Sequence, residues 1–247
     1  MLELWRYPVK SFLGERLEAV EVEARGICGD RVFAVTDRNG KIGSGKTTRR
    51  FRRLPGLSEL CARSDGDAPV VTLPDGRELA VGDMRLDAFL SERYGDELHV
   101  LRESAVPHLD AAPLHLLTTA ALRWLQEALP ASVIDRRRFR PNVVVAVAGR
   151  QVVENGWVDR RFSLGGAIVR IVDRTERCVM ATNAQDELPK DSSVLDAVTK
   201  LNEMCFGVSA AVERAGTVRV GDAMRPLDER WRWRHSRGSG GCCFGLP

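Results

Sequence analysis

The chain has 247 residues, enough to bury one large core or two small ones, with 44% hydrophobic and 29% charged residues, ordinary for a globular protein. Its longest apolar run, Val143 to Ala148, is far too short to span a bilayer, and Met1 to Arg6 lacks the basic-then-apolar pattern of an export signal, so no membrane span and a cytoplasmic location are expected. A net charge of +3 is too small to mark a nucleic-acid protein, and the six cysteines are scattered without a Cys-x-x-Cys pair, which argues for reduced thiols and against structural zinc.

From the N-terminus the sequence reads as short strands joined by turns. Leu17 to Glu23 alternates apolar and charged residues, as a half-buried strand does. Arg31 to Thr36 is a second apolar-rich run, and Asn39-Gly40 behind it predicts a hairpin turn. Pro74-Asp75-Gly76 marks another turn, between Val70–Leu73 and Glu78–Val81. A helix is predicted over Asp83–Tyr94, with Leu86, Phe89 and Leu90 on one face.

In the second half, Leu114–Leu117 leads into a helix from Thr118 to Leu129. Leu122, Leu125 and Leu129 form its stripe, and Pro130 stops it. Strands are expected at Asn142–Val147, Ala167–Val172 and Cys178–Thr182. A helix from Ser193 to Glu203 follows, with Ser193 as N-cap and Asp196 three residues on. Val208–Glu213 and Thr217–Val220 then read as a hairpin around Ala215-Gly216. Strands dominate without regular strand–helix alternation, so the class is mainly β with a few helices (α+β), a closed or nearly closed barrel with helices over it. After Leu227 the chain reads as an irregular extension that carries Trp231-Arg232-Trp233-Arg234.

Gly40 to Thr47 satisfies the Walker A pattern letter by letter. A phosphate-binding loop of that kind needs a buried strand before it and a helix directly after it. Here Asn39-Gly40 is a turn signal, and the polar stretch Thr48 to Leu54 is cut off by Pro55-Gly56. A nucleotide hydrolase is therefore disfavoured; the basic cluster faces either an anion or solvent. The 32 arginines against 5 lysines have two readings, genomic base composition or the suitability of guanidinium forks for phosphate.

Five segments carry a resemblance when taken together. They are Tyr7-Pro8-Val9-Lys10-Ser11, Gly29-Asp30-Arg31-Val32-Phe33, Arg138-Phe139-Arg140-Pro141-Asn142, Arg177-Cys178 with Val179 to Thr182, and Gly216 to Asp222. In order and spacing, from residue 2 to residue 227, they resemble the MOSC-domain family. The branch is the one that includes molybdenum-cofactor sulfurase C-terminal regions and the mitochondrial amidoxime-reducing component. The resemblance implies a MOSC-type β-barrel fold preceded by a β-rich N-terminal region. Residues 1–100 would form the N-terminal barrel-like region, 101–227 the MOSC domain and 228–247 an irregular tail.

The resemblance also implies a molybdenum cofactor, a pterin bearing a phosphate. Cys178 would be the protein ligand to molybdenum, or a persulfide acceptor in a sulfurase-like protein. A soft thiolate suits that metal, and Arg174 and Arg177 could supply the positive charge that favours deprotonation. Without the surrounding motifs, a buried strand cysteine would be the favoured reading of Cys178. Lys10, Ser11 and Arg31 would bind the phosphate or pterin side, and Arg140 and Asn142 the pterin ring or phosphate. The alternative for the two arginines is an ion pair, Arg31 with Asp37 and Arg140 with Asp135. Thr118 and Thr119 open a helix where the family also has hydroxyl residues; an N-cap is the other reading.

Amidoxime reductases of the family continue after Arg-Cys with Thr-x-Asp-Pro, whereas this chain has Thr182 to Pro189 in a different pattern. The resemblance therefore carries the site further than the substrate. The implied activity is reduction of N-hydroxylated or N-oxide small molecules. Electrons would come from a separate donor protein, because no ferredoxin-type cysteine cluster is present. The alternative is a sulfur-carrier or cofactor-transfer protein using a persulfide on Cys178. The Trp-Arg tail offers nucleic-acid or membrane contact as a third and weakest class.

Overall fold

The computed structural model describes Met1 and residues 3–227; the Trp231–Arg234 stretch, Cys242 and Cys243 lie outside the described residues. The first four strands are β1 (Glu3–Arg6), β2 (Glu15–Leu17), β3 (Ala19–Glu23) and β4 (Gly26–Ile27). In β3, Val20 and Val22 are buried while Ala19, Glu21 and Glu23 face solvent, as the two-residue side-chain period requires. β5 (Phe33–Asp37), β6 (Ile42–Ser44) and β7 (Phe51–Arg53) follow. Asn39-Gly40 does turn the chain between β5 and β6: Gly40 has φ +74° and donates to the Asp37 carbonyl at 2.9 Å.

β8 (Cys61–Arg63), β9 (Val70–Thr72) and β10 (Glu78–Ala80) form a meander, with the predicted turn at Pro74–Gly76 between the last two. α1 (Met84–Tyr94) begins where expected, because the Asp83 carboxylate accepts from the Arg85 N–H at 2.9 Å. Leu86 and Leu90 are fully buried beneath it, and Phe89 packs at their side. β11 (Leu98–Arg102), β12 (Leu114–Thr118), α2 (Thr119–Ala128) and β13 (Val143–Val145) lead to β14 (Arg161–Leu164) and β15 (Ala167–Glu176). α3 (Ser193–Asn202), β16 (Cys205–Arg214), β17 (Gly216–Arg219) and β18 (Met224–Pro226) complete the described chain.

With 18 strands and three α-helices among the described residues, the fold is mainly β. Eight strands form a curled half-barrel in the order β18-β14-β15-β16-β12-β13-β1-β2. Three smaller sheets, β11-β5-β6-β7, β10-β9-β8 and β17-β3-β4, pack around it. One core lies inside the half-barrel and draws Leu4, Val20, Val22 and Ile27 from the start of the chain together with residues from 114 to 218. A second spans Val9 to Val100 beneath α1, and a third joins α2 and α3 to Phe139 and Phe206.

Three expectations are corrected. Cys178–Thr182 is not a strand: β15 ends at Glu176, and Val179–Thr182 is a 3₁₀ turn. β16 begins at Cys205, opposite Glu176; one further bond, from Arg177 N–H to the Met204 carbonyl at 2.8 Å, closes the pairing before Cys178. Ser193 is the first helical residue of α3 rather than its cap; the Asp191 carboxylate accepts its N–H at 3.0 Å. Thr217–Val220 does not return along β16. β17 pairs instead with β3, from Gly216 opposite Val22 to Arg219 opposite Ala19. Gly216 lies so close to the Gly166 backbone that a Cβ would meet its carbonyl carbon at 2.5 Å, and the chain leaves β16 at this crossing.

Candidate cofactor site

Residues far apart in sequence converge at one end of β1, β12 and β13. Tyr7 N–H donates to the buried Asp30 carboxylate at 2.8 Å, and Arg31 N–H returns a bond to the Tyr7 carbonyl at 2.7 Å. The Tyr7-to-Ser11 and Gly29-to-Phe33 segments are thus stitched together, with Lys10 N–H bonded to Phe33 O at 2.8 Å. Asn142 binds the third segment to them. Its main chain exchanges bonds with Trp5 and His115, and its side-chain oxygen accepts from His115 N–H at 3.1 Å and from Arg31 at 3.4 Å. The fourth segment arrives on β15, which carries Arg177 and Cys178 just past its end.

These residues surround a cavity of about 490 Å³. Lys10, Ser11, Arg31, Arg140, Asn142, Arg177 and Cys178 all line it. Seven non-glycine described residues have positive φ, and four of them, Ser11, Arg31, Arg140 and Met204, are cavity residues. Left-handed backbone costs an ordinary residue about 1–2 kcal/mol. Such strain gathers where a surrounding structure must aim side chains at a site.

The cations are not equally committed. Arg31 pairs with Asp30, donates to the Arg140 carbonyl at 3.2 Å and lies over the Tyr7 ring at 4.7 Å. Burial works most strongly against its charge, but Asp30, Tyr7 and Asp110 together raise its pKa. Asp37, its partner in the alternative ion-pair reading, pairs with Arg52. Asp135, the partner of Arg140 in that alternative, pairs with Arg136 and Arg137.

Arg140 and Arg177 make no ion pair among the described residues. Arg140 donates to the Phe12 carbonyl at 2.7 Å, leaving Nη2 buried without a partner. Arg177 donates to the Phe139 carbonyl at 2.8 Å, leaving Nε likewise. Burial pushes both guanidinium groups down to about 10, so they remain charged at neutral pH.

Ser11 donates to the Gly43 carbonyl at 3.1 Å, and Lys10 contacts Asp110 at 3.0 Å. Cys178, half-buried, stands at the extended residue before the 3₁₀ turn and makes no disulfide among the described residues. Arg174 is not a cavity residue; it bonds Glu203 at 2.8 Å and the Asn202 carbonyl at 2.7 Å. Thr118 and Thr119 are also elsewhere. The Thr118 hydroxyl caps α2 and donates to the buried Glu154 carboxylate at 2.8 Å, and Thr119 exchanges bonds with Val147 at 3.0 Å.

Sequence reasoning missed several cavity residues: Ser44, Lys46, Asp110, His115, Glu176 and Met180. Lys46 had a signal in the Walker-like stretch, which forms no phosphate-binding loop because β6 is followed by β7 rather than a helix. Instead the stretch packs on the segment after Cys178, so closely that a Cβ on Gly45 would strike the Met180 sulfur. His115 was hidden inside an apolar strand. Its ring lies against Gly207, and burial, with the charges of Arg177 and Arg31, lowers its pKa to about 3 and keeps it neutral.

Comparison with known proteins identifies the fold. Residues 96–225 match the MOSC domain model, and residues 1–130 match that of the MOSC N-terminal beta barrel domain. The mitochondrial amidoxime reducing component 2 of Bos taurus is 24% identical, over 89% of this chain and 81% of the relative. The mitochondrial amidoxime-reducing component 1 of Mus musculus is 26% identical, over 92% and 82% respectively. A crystal structure of the YUAD protein from Bacillus subtilis aligns with TM-score 0.48 and 12% identity, covering 88% of this chain and 89% of that one. Among the described residues no helix is long and apolar enough to cross a membrane. The chain belongs to the MOSC domain family.

Proposed function

We propose that the protein binds a molybdenum cofactor in the cavity beside Cys178 and reduces N-hydroxylated or N-oxide small molecules, with electrons from a separate protein donor. The observation that carries this reading is the pair Arg140 and Arg177, two half-buried arginines that each keep a buried guanidinium nitrogen without a partner and have no carboxylate partner among the described residues, in the cavity that holds Cys178. Buried charge without a counter-charge is costly, and a bound anion relieves the cost. A phosphate-bearing pterin is such an anion. The donor set agrees: among the described residues no three His, Cys, Asp or Glu gather to hold a metal. A metal at this site would bring most of its own ligands and take one thiolate from the protein, as a pterin dithiolene complex does.

Lys10, Lys46, Arg140 and Arg177 would hold the anionic part of the cofactor. Arg31 and Asn142, already bonded into the scaffold, would fix the wall against which it rests. Cys178 would be the thiolate ligand. When bound, the cofactor supplies the redox and oxygen-accepting chemistry; the protein orients it and controls its charge. Met180, Leu195, Met204 and Phe139 give the same cavity an apolar part, where a small substrate would shed water. The amidoxime-reducing names of the two mammalian relatives support this reaction class.

The test is to purify the protein from a host that makes the cofactor and to measure molybdenum and released pterin, with Cys178→Ala alongside. Near-stoichiometric molybdenum and turnover of an N-hydroxylated compound with an artificial reductant are expected in the wild type, with metal lost or altered in the variant. Absence of both molybdenum and pterin from the wild type overturns the reading. A persulfide on Cys178 without turnover would identify a sulfur carrier instead.

A further inference from the structure

Lys10 is one of the residues that the family resemblance assigns to the phosphate or pterin side of the ligand, yet its ammonium is already surrounded. An ammonium has three N–H donors. Lys10 Nζ donates to the His108 carbonyl at 2.7 Å, contacts Asp110 Oδ1 at 3.0 Å, and lies over the Phe51 ring, 5.2 Å from its centroid. One of these three partners carries charge, and it lies on the solvent side: the Asp110 side chain is 58% exposed, against 5% for Lys10.

The loop that carries Asp110 runs from β11 to β12. It is fastened upstream of Asp110, where His108 N–H donates to Glu103 at 2.9 Å and Arg50 donates to the Pro107 and Leu109 carbonyls. From Asp110 to Ala112 the chain forms cavity wall, and Asp110 makes no contact with another charged group within ion-pair distance among the described residues except Lys10. Its carboxylate also feels Lys46 and Arg31, and its charge in turn reaches Arg140 and Arg177. It stands among the same cations that a bound phosphate would meet.

We infer that Asp110 is a resident anion that occupies the phosphate position on Lys10 and leaves it when a phosphate-bearing ligand seats. A carboxylate and a phosphate on one ammonium repel each other, so the two occupy Lys10 by exchange. Asp110 then keeps a buried lysine compensated, and a ligand must displace its carboxylate to enter. The inference rests on the proposed reading only in giving the ligand an anionic group, and it can stand or fall without molybdenum.

The experiment uses the full-length chain purified from a host unable to make molybdopterin, with inorganic phosphate titrated by calorimetry into the wild type, Asp110→Asn and Lys10→Gln. If Asp110 holds Lys10 in nine of ten empty molecules, its removal tightens phosphate binding about tenfold. Lys10→Gln is expected to abolish binding. In the wild type, saturating phosphate is expected to speed amide hydrogen exchange over residues 109–112, because the carboxylate has let go. Unchanged or weaker phosphate binding by Asp110→Asn overturns the exchange and makes Asp110 a residue that positions Lys10. Absence of phosphate binding from both proteins overturns it as well. Should Asp110→Asn fail to fold, the wild-type hydrogen exchange decides alone: protection of 109–112 that stays constant or rises with phosphate overturns the inference.

Discussion

The guanidinium of Arg140 lies over the ring of Tyr7, 4.2 Å from its centroid, and the Tyr7 hydroxyl donates to the carbonyl of the next residue, Pro141, at 3.1 Å. Arg31 lies over the same ring. Burial pushes the phenol up to about 12, so it stays protonated and remains a donor. Tyr7 is therefore the plate on which two cavity arginines are set. Tyr7→Phe keeps the ring and loses one hydrogen bond, for a cost of about 1 kcal/mol in urea unfolding and no change in cofactor content. Tyr7→Ala removes the plate. It is expected to cost about 3–5 kcal/mol and to lower bound molybdenum in the protein that still folds.

Thr118 gives the opposite pattern. Its hydroxyl accepts from Ala121 N–H and donates to Glu154, which is fully buried. Thr118→Val removes both bonds and is expected to cost about 1–3 kcal/mol of stability. Molybdenum per folded molecule should match the wild type. Metal loss from a fully folded Thr118→Val protein would bring this residue to the site after all.

Gly207 tests the cavity wall from behind. It has φ +80°, and a Cβ there would strike His115 Nε2 and come within 2.7 Å of the Leu116 carbonyl. Gly207→Ala is expected to cost more than about 3 kcal/mol, from backbone strain together with the collision. Gly82 also has positive φ but has nothing within 4 Å of its Cβ position. Gly82→Ala should then cost only the strain, about 1–2 kcal/mol. Thermal melts of the two variants side by side measure the difference.

The His115 ring sets a pH dependence. Burial, then the charges of Arg177 and Arg31, lower its pKa from the ordinary 6.5 to about 3. Between these values the unfolded chain binds a proton that the fold excludes. Stability is therefore unaffected above pH 6.5 and falls as pH drops from 6.5 toward about 3. His108 is lowered in the same direction, mainly by burial, and His99 is raised. The difference between wild type and His115→Asn isolates the ring. Urea midpoints from pH 8 to 5 should fall less steeply in the variant, and parallel slopes would contradict the assignment.

Much of the local structure was legible in the sequence because it depends on near neighbours. The alternation of β3, the Asn39-Gly40 turn and the Asp83 cap of α1 each follow from a few adjacent residues. The expectations that failed were non-local. Cys178–Thr182 looks like a strand, but β16 offers no partner beyond Cys205; β17 looks like half of a hairpin, but β3 offers it an open edge.

The site divides in the same way. The sequence by itself determined which residue types the site would contain, since the motifs carry Lys10, Arg31, Arg140, Arg177 and Cys178 with their chemistry. Only the tertiary structure decided which of them keep an internal counter-charge. Asp30 takes Arg31 and Asp110 takes Lys10, while Arg140 and Arg177 have no carboxylate partner among the described residues. Asp135, five residues before Arg140, pairs with Arg136 and Arg137 instead. Turns and caps are decided by bonded neighbours a few ångströms along the chain. Charge pairing is decided by distance through space, which no residue spacing encodes until the chain has folded.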